Sequence, residues 1–299
     1  MKPDLTATFI RAQVAIGKGN TPMATNSVNT NVSSMVALQA FNRTTDLLNV
    51  VQKRVSTGYR VADAKDDGGA FAVAQAVRSD VAGLTAANEQ LGGTKGVLET
   101  TFAALSKLSD TMIKVREALT RLADGTINDS QRAQYEAQYT QLKTQIENFV
   151  ADATYNGRTL LSTESTAGGG DITMTRNETG GTFTIAALDG ATDLVVTSAP
   201  TSAADAQAAL EAAGDFKTVE GQIADALNQF GADSNYIDSQ IKYNKDKADS
   251  LEGGLGALID ADLAKESAKL QALQIRQQLG SQALSISNQS PAMLLSLFR

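Results

Sequence analysis

The chain of 299 residues is predicted to be mainly α: an elongated antiparallel helical bundle or coiled coil formed by both termini, with a small β-rich insertion at the far end. Three observations predict this. Apolar residues recur at steps of three and four at both ends of the chain, the mark of one face of a helix. The four prolines, Pro3, Pro22, Pro200 and Pro291, leave the long interval between Pro22 and Pro200 free of helix-breaking rings. Between the helical stretches, a Gly- and Thr-rich middle switches to a period of two.

Residues 1–22 differ from the rest of the chain. Their apolar residues (Phe9, Ile10, Val14, Ile16) are scattered rather than gathered into a signal-peptide core. Met23-Ala24-Thr25-Asn26-Ser27 then opens a capped helical pattern, so 1–22 is expected to be an extension, disordered or absent from the mature protein. The first helix is predicted from Asn29 to Thr57, its apolar face set by Val28, Val32, Met35, Leu38, Phe41, Leu48, Val51 and Val55. Gly58 can take the left-handed cap conformation that ends it.

Val61 to Gly69 reads as a connector, in which Asp66-Asp67 form a helix-start turn. A helical pattern resumes from Ala70 to Val97 and continues from Thr101 to Leu122. Asn128, Asp129 and Ser130 can each cap the next helix, Gln131 to Asp152. Asn156-Gly157 is a hairpin signal. After Gly168-Gly169-Gly170, the pairs Ile172/Met174, Phe183/Ile185 and Leu194/Val196 alternate with mostly small or polar residues, as short strands do.

From about Ser202 the helical pattern returns. Ile237, Ile241, Ala248, Leu251, Leu255, Leu258, Leu263, Leu270, Leu273 and Leu284 form a coiled-coil seam. Asp238 with Lys242 and Lys245 with Asp249 are spaced for pairs on its solvent side. An unbroken helix from Asp215 to Ser287 would be about 110 Å long, at ~1.5 Å per residue. Gly253, Gly254 and Gly256 inside it are read either as close packing or as a hinge. The chain closes on Met293, Leu294, Leu295, Leu297 and Phe298. Both terminal helices are poor in charge, with polar faces of Ser, Thr, Asn and Gln. Such faces suit packing against like neighbours, and the exposed apolar stripe promotes association.

Composition removes most other functions. The chain has no cysteine and no histidine, which excludes disulfides, thiolate nucleophiles, Cys/His zinc sites and imidazole acid/base chemistry. No catalytic, cofactor-binding or metal residues are assigned. A net charge of −7 argues against nucleic acid as a partner, and no apolar run approaches a membrane span. Gly92-Gly93-Thr94-Lys95-Gly96 lacks the spacing and preceding strand of a phosphate loop.

Several ordered motifs carry a family resemblance. Asn26-Ser27-Val28-Asn29-Thr30-Asn31, then Val55-Ser56-Thr57-Gly58-Tyr59-Arg60 with Ala64-Lys65-Asp66-Asp67, then Val115-Arg116-Glu117 and Tyr155-Asn156-Gly157, resemble landmarks of bacterial flagellin. The end, from Ser281-Gln282-Ala283-Leu284 to Leu294-Leu295-Ser296-Leu297-Phe298-Arg299, is similar to the close of short α-proteobacterial flagellins. The resemblance implies a structural subunit, not an enzyme, that is exported through the flagellar type III secretion channel and polymerises into the extracellular filament for swimming. A hook-filament junction protein of the same axial family is the alternative. It further implies inner helical segments at 23–65 and 257–299, an outer helical domain at 66–165 and 206–256, and a variable surface module at 166–205.

The implied partners are other flagellin subunits, the export apparatus and a chaperone, and hook-associated and cap proteins. Lys114, Ala118 and Gln138 stand where flagellins recognised by an animal innate immune receptor carry Arg, Leu and Glu, which argues against recognition of this chain. Thr and Ser of the middle module either accept O-linked sugars, as in some flagellins, or simply form a polar loop. The apolar residues of both termini, from Val28 to Val55 and from Leu270 to Phe298, are the expected self-assembly set, poorly ordered until a neighbouring subunit covers them.

Overall fold

The computed structural model describes residues 31–164, 168–197, 199–211 and 214–296, with 290–296 described as helical backbone. Among these residues seven helices and two strands occur in the order α1 (Val32–Thr57), α2 (Gly68–Leu122), α3 (Asp129–Asp152), β1 (Ile172–Thr175), β2 (Thr182–Ile185), α4 (Gly190–Asp193), α5 (Ala203–Leu210), α6 (Asp215–Ile259) and α7 (Leu263–Ser296). The chain divides into two compact units, one of residues 1–71 and 259–299, the other of residues 72–258.

In the first unit α1 and α7 run antiparallel. Asn31 Nδ2 donates to the Ser287 carbonyl at 2.9 Å at one end, and the Ala261 N–H donates to the Gly58 carbonyl at 2.9 Å at the other. The Asn31 side chain caps α1, and Gly58 ends it at φ 76, its N–H bonded to the Arg54 carbonyl. Glycine, without a Cβ, takes that conformation at no steric cost.

The second unit is built on α2, α3 and α6. Asn128 and Gln131 form a reciprocal capping box at the start of α3. The core comprises Leu91, Leu98, Leu105, Leu108, Val115 and Leu119 of α2, Ile146 of α3, and Phe216, Phe230 and Ile237 of α6, with Leu160, Leu161, Ile185 and Leu194 between them. The α2 and α6 helices are antiparallel, linked by Lys95 to Asp238 at 2.6 Å and by Arg116 to Glu220. Asp238, spaced to pair with Lys242 on its own helix, is therefore engaged across helices.

Two sequence expectations need correction. The helix from Asp215 to Ser287 is interrupted at residues 260–262. There the Ile259 carbonyl accepts from the N–H groups of Arg60 and Val61, and Asp262 caps α7 by accepting from the Lys265 N–H. Gly253, Gly254 and Gly256 lie inside α6, which continues to Ile259. Leu194 and Val196 are buried but form no strand; α4 precedes them and its cap turns the chain at Leu194.

The insertion is a single antiparallel hairpin with Ile172 opposite Ile185 and Met174 opposite Phe183. It lies along the side of α2 and α6 rather than at the tip of the unit. The Thr175 N–H donates to Gln90 Oε1 at 3.2 Å, and Lys247 pairs with Glu178 at 2.5 Å. A Cβ on Gly83 would stand 3.1 Å from Glu178 Cβ, so glycine permits this close approach. The Tyr155–Arg158 turn is closed by two backbone bonds, with Asn156 (φ 49) and Gly157 (φ 74) both left-handed, the conformation an Asn-Gly hairpin turn requires.

Candidate assembly surface

The helix pair α1/α7 holds the residues that the sequence marks for association, and it sorts them into two groups. Val51 and Leu273 are buried, while Phe41, Leu48, Val55, Leu270 and Leu284 are half-buried. Phe41 faces α7, where a Cβ on Gly280 would meet its ring at 3.2 Å. By contrast, Val32 (41%), Met35 (63%) and Leu38 (48%) remain exposed within the chain. Val28, Leu297 and Phe298 lie outside the described residues, as does the 1–22 extension, and Met293, Leu294 and Leu295 are placed only as helical backbone.

Sequence reasoning missed further members of the exposed set. Val36, Leu47 and Val50 on α1, and Ile275, Leu279 and Ile286 on α7, are all exposed large apolar side chains. A single-face periodicity cannot find them, because they stand on the side of each helix away from the seam. Their signal was the excess of apolar residues over what one face needs. Fully burying each would contribute roughly 1.5–3 kcal/mol.

Polar groups order the pair along its length. Towards Asn31 the ties are uncharged: Ser34 with Asn288, and Gln277 Nε2 with Thr45 Oγ1 at 3.4 Å. Towards the connector they are ionic. Buried Glu266 accepts from Lys269 at 2.6 Å and lies 3.9 Å from Arg54. Lys53 bridges Asp63 at 2.7 Å and Asp66 at 2.8 Å. Its hydrogen bond holds both carboxyls below their ordinary value, helped by the Lys65 N–H at Asp63 and the Ala62 N–H at Asp66. Asp67 Oδ1 accepts from the Ala70 N–H and so starts α2. The acidic pair therefore serves the turn.

Elsewhere, Tyr139 is the strongly shifted group. Burial pushes its phenol well up, reinforced by Asp215, and its hydroxyl donates to the Thr197 carbonyl at 3.3 Å. Among the described residues no cluster of His, Cys, Asp or Glu could hold a metal, and no helix is long and apolar enough to cross a membrane. Lys114 and Gln138 are exposed, but Ala118 is buried in the second unit's core.

The family model for the bacterial flagellin N-terminal helical region matches residues 28–166, and that for the C-terminal helical region matches residues 217–298. Flagellin FljK of Caulobacter vibrioides is 36% identical over 280 residues, spanning 93% of this chain and 100% of that protein. A flagellin of Brucella melitensis is 32% identical over 283 residues, spanning 91% and 99%. A crystal structure of Bacillus cereus flagellin overlaps with a TM-score of 0.48 at 25% identity, over 52% of this chain and 88% of that one.

Proposed function

The chain belongs to the bacterial flagellin family, and from that premise we propose how it acts as a structural subunit of the flagellar filament. The exposed apolar faces of α1 and α7, with Val28 and the 293–298 segment, are the polymerisation surface. They gain their burial only against neighbouring subunits. The observation that carries this reading is the contrast within one helix pair: Val51 and Leu273 are covered by the chain itself, whereas Met35, Val36, Ile275, Leu279 and Ile286 are more than half exposed. So thin a seam stabilises a two-helix pair weakly, which supports ordering on assembly rather than before it.

The inner segments 23–65 and 257–299 then line the filament, and 66–165 with 206–256 form the outer body. The 166–205 module lies on its surface, and Gly58, Gly253, Gly254 and Gly256 are the candidate hinge residues. Family membership supports export through the flagellar channel to the outside, aided by a chaperone, with hook-associated and cap proteins as neighbours. A cysteine-free chain supports it, since no disulfide forms on leaving a reducing compartment. The lack of histidine and cysteine likewise supports a purely structural role.

Deletion of residues 293–299 tests the proposal. Electron microscopy of protein dialysed from denaturant is expected to show long filaments for the full chain and none for the truncation, whose outer helices still fold by circular dichroism. Long filaments from the truncated chain would refute it.

A further inference from the structure

The acidic charge of this protein is unevenly placed. Residues 1–71 and 259–299 together carry more Lys and Arg than Asp and Glu, so the body formed by residues 72–258 is more acidic than the chain's net −7. Copies of such a body repel one another, and contact across exposed carboxylates is unfavourable. Any face on which two copies meet closely must therefore be neutral or complementary.

The outer surface of α3 is neutral. From Ser130 to Gln145 every exposed residue is uncharged, while Arg132, Glu136 and Lys143 are half-buried at its flanks. Gln134, Gln138, Gln141, Gln145 and Asn148 recur at steps of four and three, so their amides form one ridge. Among the described residues none of these five amides has a hydrogen-bond partner within the chain. A solvated helix face ordinarily carries charge, as the exposed Lys107, Asp110, Lys114 and Glu117 of α2 do.

A matching surface exists on α6. Gly221, Ala224, Asn228, Ala232, Asn235 and Ser239 are all exposed, again at steps of three and four, and none is charged; Asp225 stands exposed on one rim. A Cβ on Gly221 would meet nothing within 4 Å, so packing inside the chain does not account for a glycine that costs about 1 kcal/mol in a helix interior. Small side chains here leave a shallow groove, into which long amides fit as a ridge. The Asn228 and Asn235 side chains offer donors and acceptors to match.

We propose that the amide ridge of α3 docks on a second copy of this chain, in the small-residue groove of that copy's α6. The contact is heterologous, ridge to groove, and so propagates from copy to copy instead of closing a pair. It rests on the filament-subunit reading and adds to it an interface separate from the apolar terminal helices.

Two double variants and a cross-link test this. Gln138→Glu with Gln141→Glu, and Gln138→Lys with Gln141→Lys, place charges on exposed positions, so the urea midpoint of the monomer is expected to stay unchanged. Both pairs are expected to raise the critical concentration for polymerisation, because either sign of charge would be desolvated. The Glu pair raises it at least about tenfold, and the Lys pair less, since Asp225 on the rim partly compensates it. The Lys pair also lowers the body's negative charge, so a loss with both signs cannot come from bulk repulsion. In filaments sheared from cells co-expressing Gln141→Cys and Asn228→Cys chains, which are otherwise cysteine-free, a short bismaleimide should join the two chains. Polymer from both double variants at the wild-type concentration, or wild-type-like filaments without the cross-link, overturns this interface while leaving the filament function intact. Absence of polymer from the unaltered chain overturns both.

Discussion

Asn244 offers the sharpest test of how the β-hairpin is held. It has no solvent exposure, and its three bonds join both long helices to the hairpin. Its amide nitrogen donates to Asn88 Oδ1 at 2.9 Å and to the Arg176 carbonyl at 2.9 Å, and its oxygen accepts from Gln240 Nε2 at 2.8 Å. Asn244→Ala removes all three. The Arg176 carbonyl keeps Gln240 Nε2 at 3.2 Å, but Asn88 Oδ1 loses its donor. One stranded acceptor and a small void predict a loss of about 2–4 kcal/mol, towards the lower end because Asn88 is half-buried and water can reach it. Asn244→Asp is isosteric yet worse at neutral pH: it turns a carboxylate towards two acceptors, and part of its loss should return as the carboxyl is protonated in acid. Urea unfolding of the full chain, followed by far-UV circular dichroism, gives the magnitudes. Tryptic cleavage after Arg176 gives the location, and both variants are expected to be cut faster there. Losses below about 0.5 kcal/mol for both, with unchanged cleavage, would refute the account of this node.

Glycine substitutions should split by surroundings. Gly92→Ala, with open space around the new methyl, is expected to stabilise the monomer by about 0.5–1 kcal/mol in the same urea assay, whereas Gly190→Ala, whose Cβ would stand 2.8 Å from the Leu161 carbonyl oxygen, should destabilise it by about 1–3 kcal/mol. The Lys53 bridge predicts an acid limb. Because the folded-state values of Asp63 and Asp66 are depressed, their contribution is complete above the ordinary value of 3.8 and is lost as pH falls through the lower folded values. NMR titration of the two carboxyls in wild type and Lys53→Met should show both values returning upward in the variant; unchanged titrations would remove Lys53 as the cause. On the exposed face of α1, Met35→Ser should leave monomer helicity unchanged and weaken polymerisation, measured by sedimentation; an unchanged polymer yield would take Met35 out of the assembly surface.

The sequence made the helices legible because their evidence is local. Apolar spacing, the Asn128 cap and the Gly58 stop each act within a few residues, and the structure realises both end signals. The Asn156-Gly157 turn was equally readable, since its two left-handed residues are a property of the dipeptide. Leu194 and Val196 misled for the opposite reason. Alternation reports two buried side chains two apart, and a turn that tucks both into a helical core produces the same pattern without any ladder. In the assembly surface, periodicity found the seam but not Val36, Leu47 or Ile275, because a helix that buries one face inside the chain and another against a neighbour has no single apolar face to detect.

The break between α6 and α7 shows where such reasoning stops. Glycine is the strongest helix-weakening signal in the region, yet α6 passes through Gly253, Gly254 and Gly256 intact. The cost of about 1 kcal/mol per glycine is spread over a 45-residue helix and does not choose an end. What ends it is competition for backbone groups. The Ile259 carbonyl is taken by two N–H groups of the α1–α2 connector, and the Ala261 N–H turns to Gly58, about 200 residues earlier in the chain. Only the Asp262 cap had a local signature, and the coiled-coil spacing from Leu258 to Leu263 ran straight across it. A helix end imposed by a distant segment of backbone is fixed by the fold as a whole. Replacing Asp262 by Ala should therefore cost only the cap, about 1 kcal/mol, and leave the break in place, because the Gly58 and Ile259 bonds remain. If Asp262→Ala instead fused α6 and α7, seen as helical amide-exchange protection running through 260–262, the connector would not be the cause.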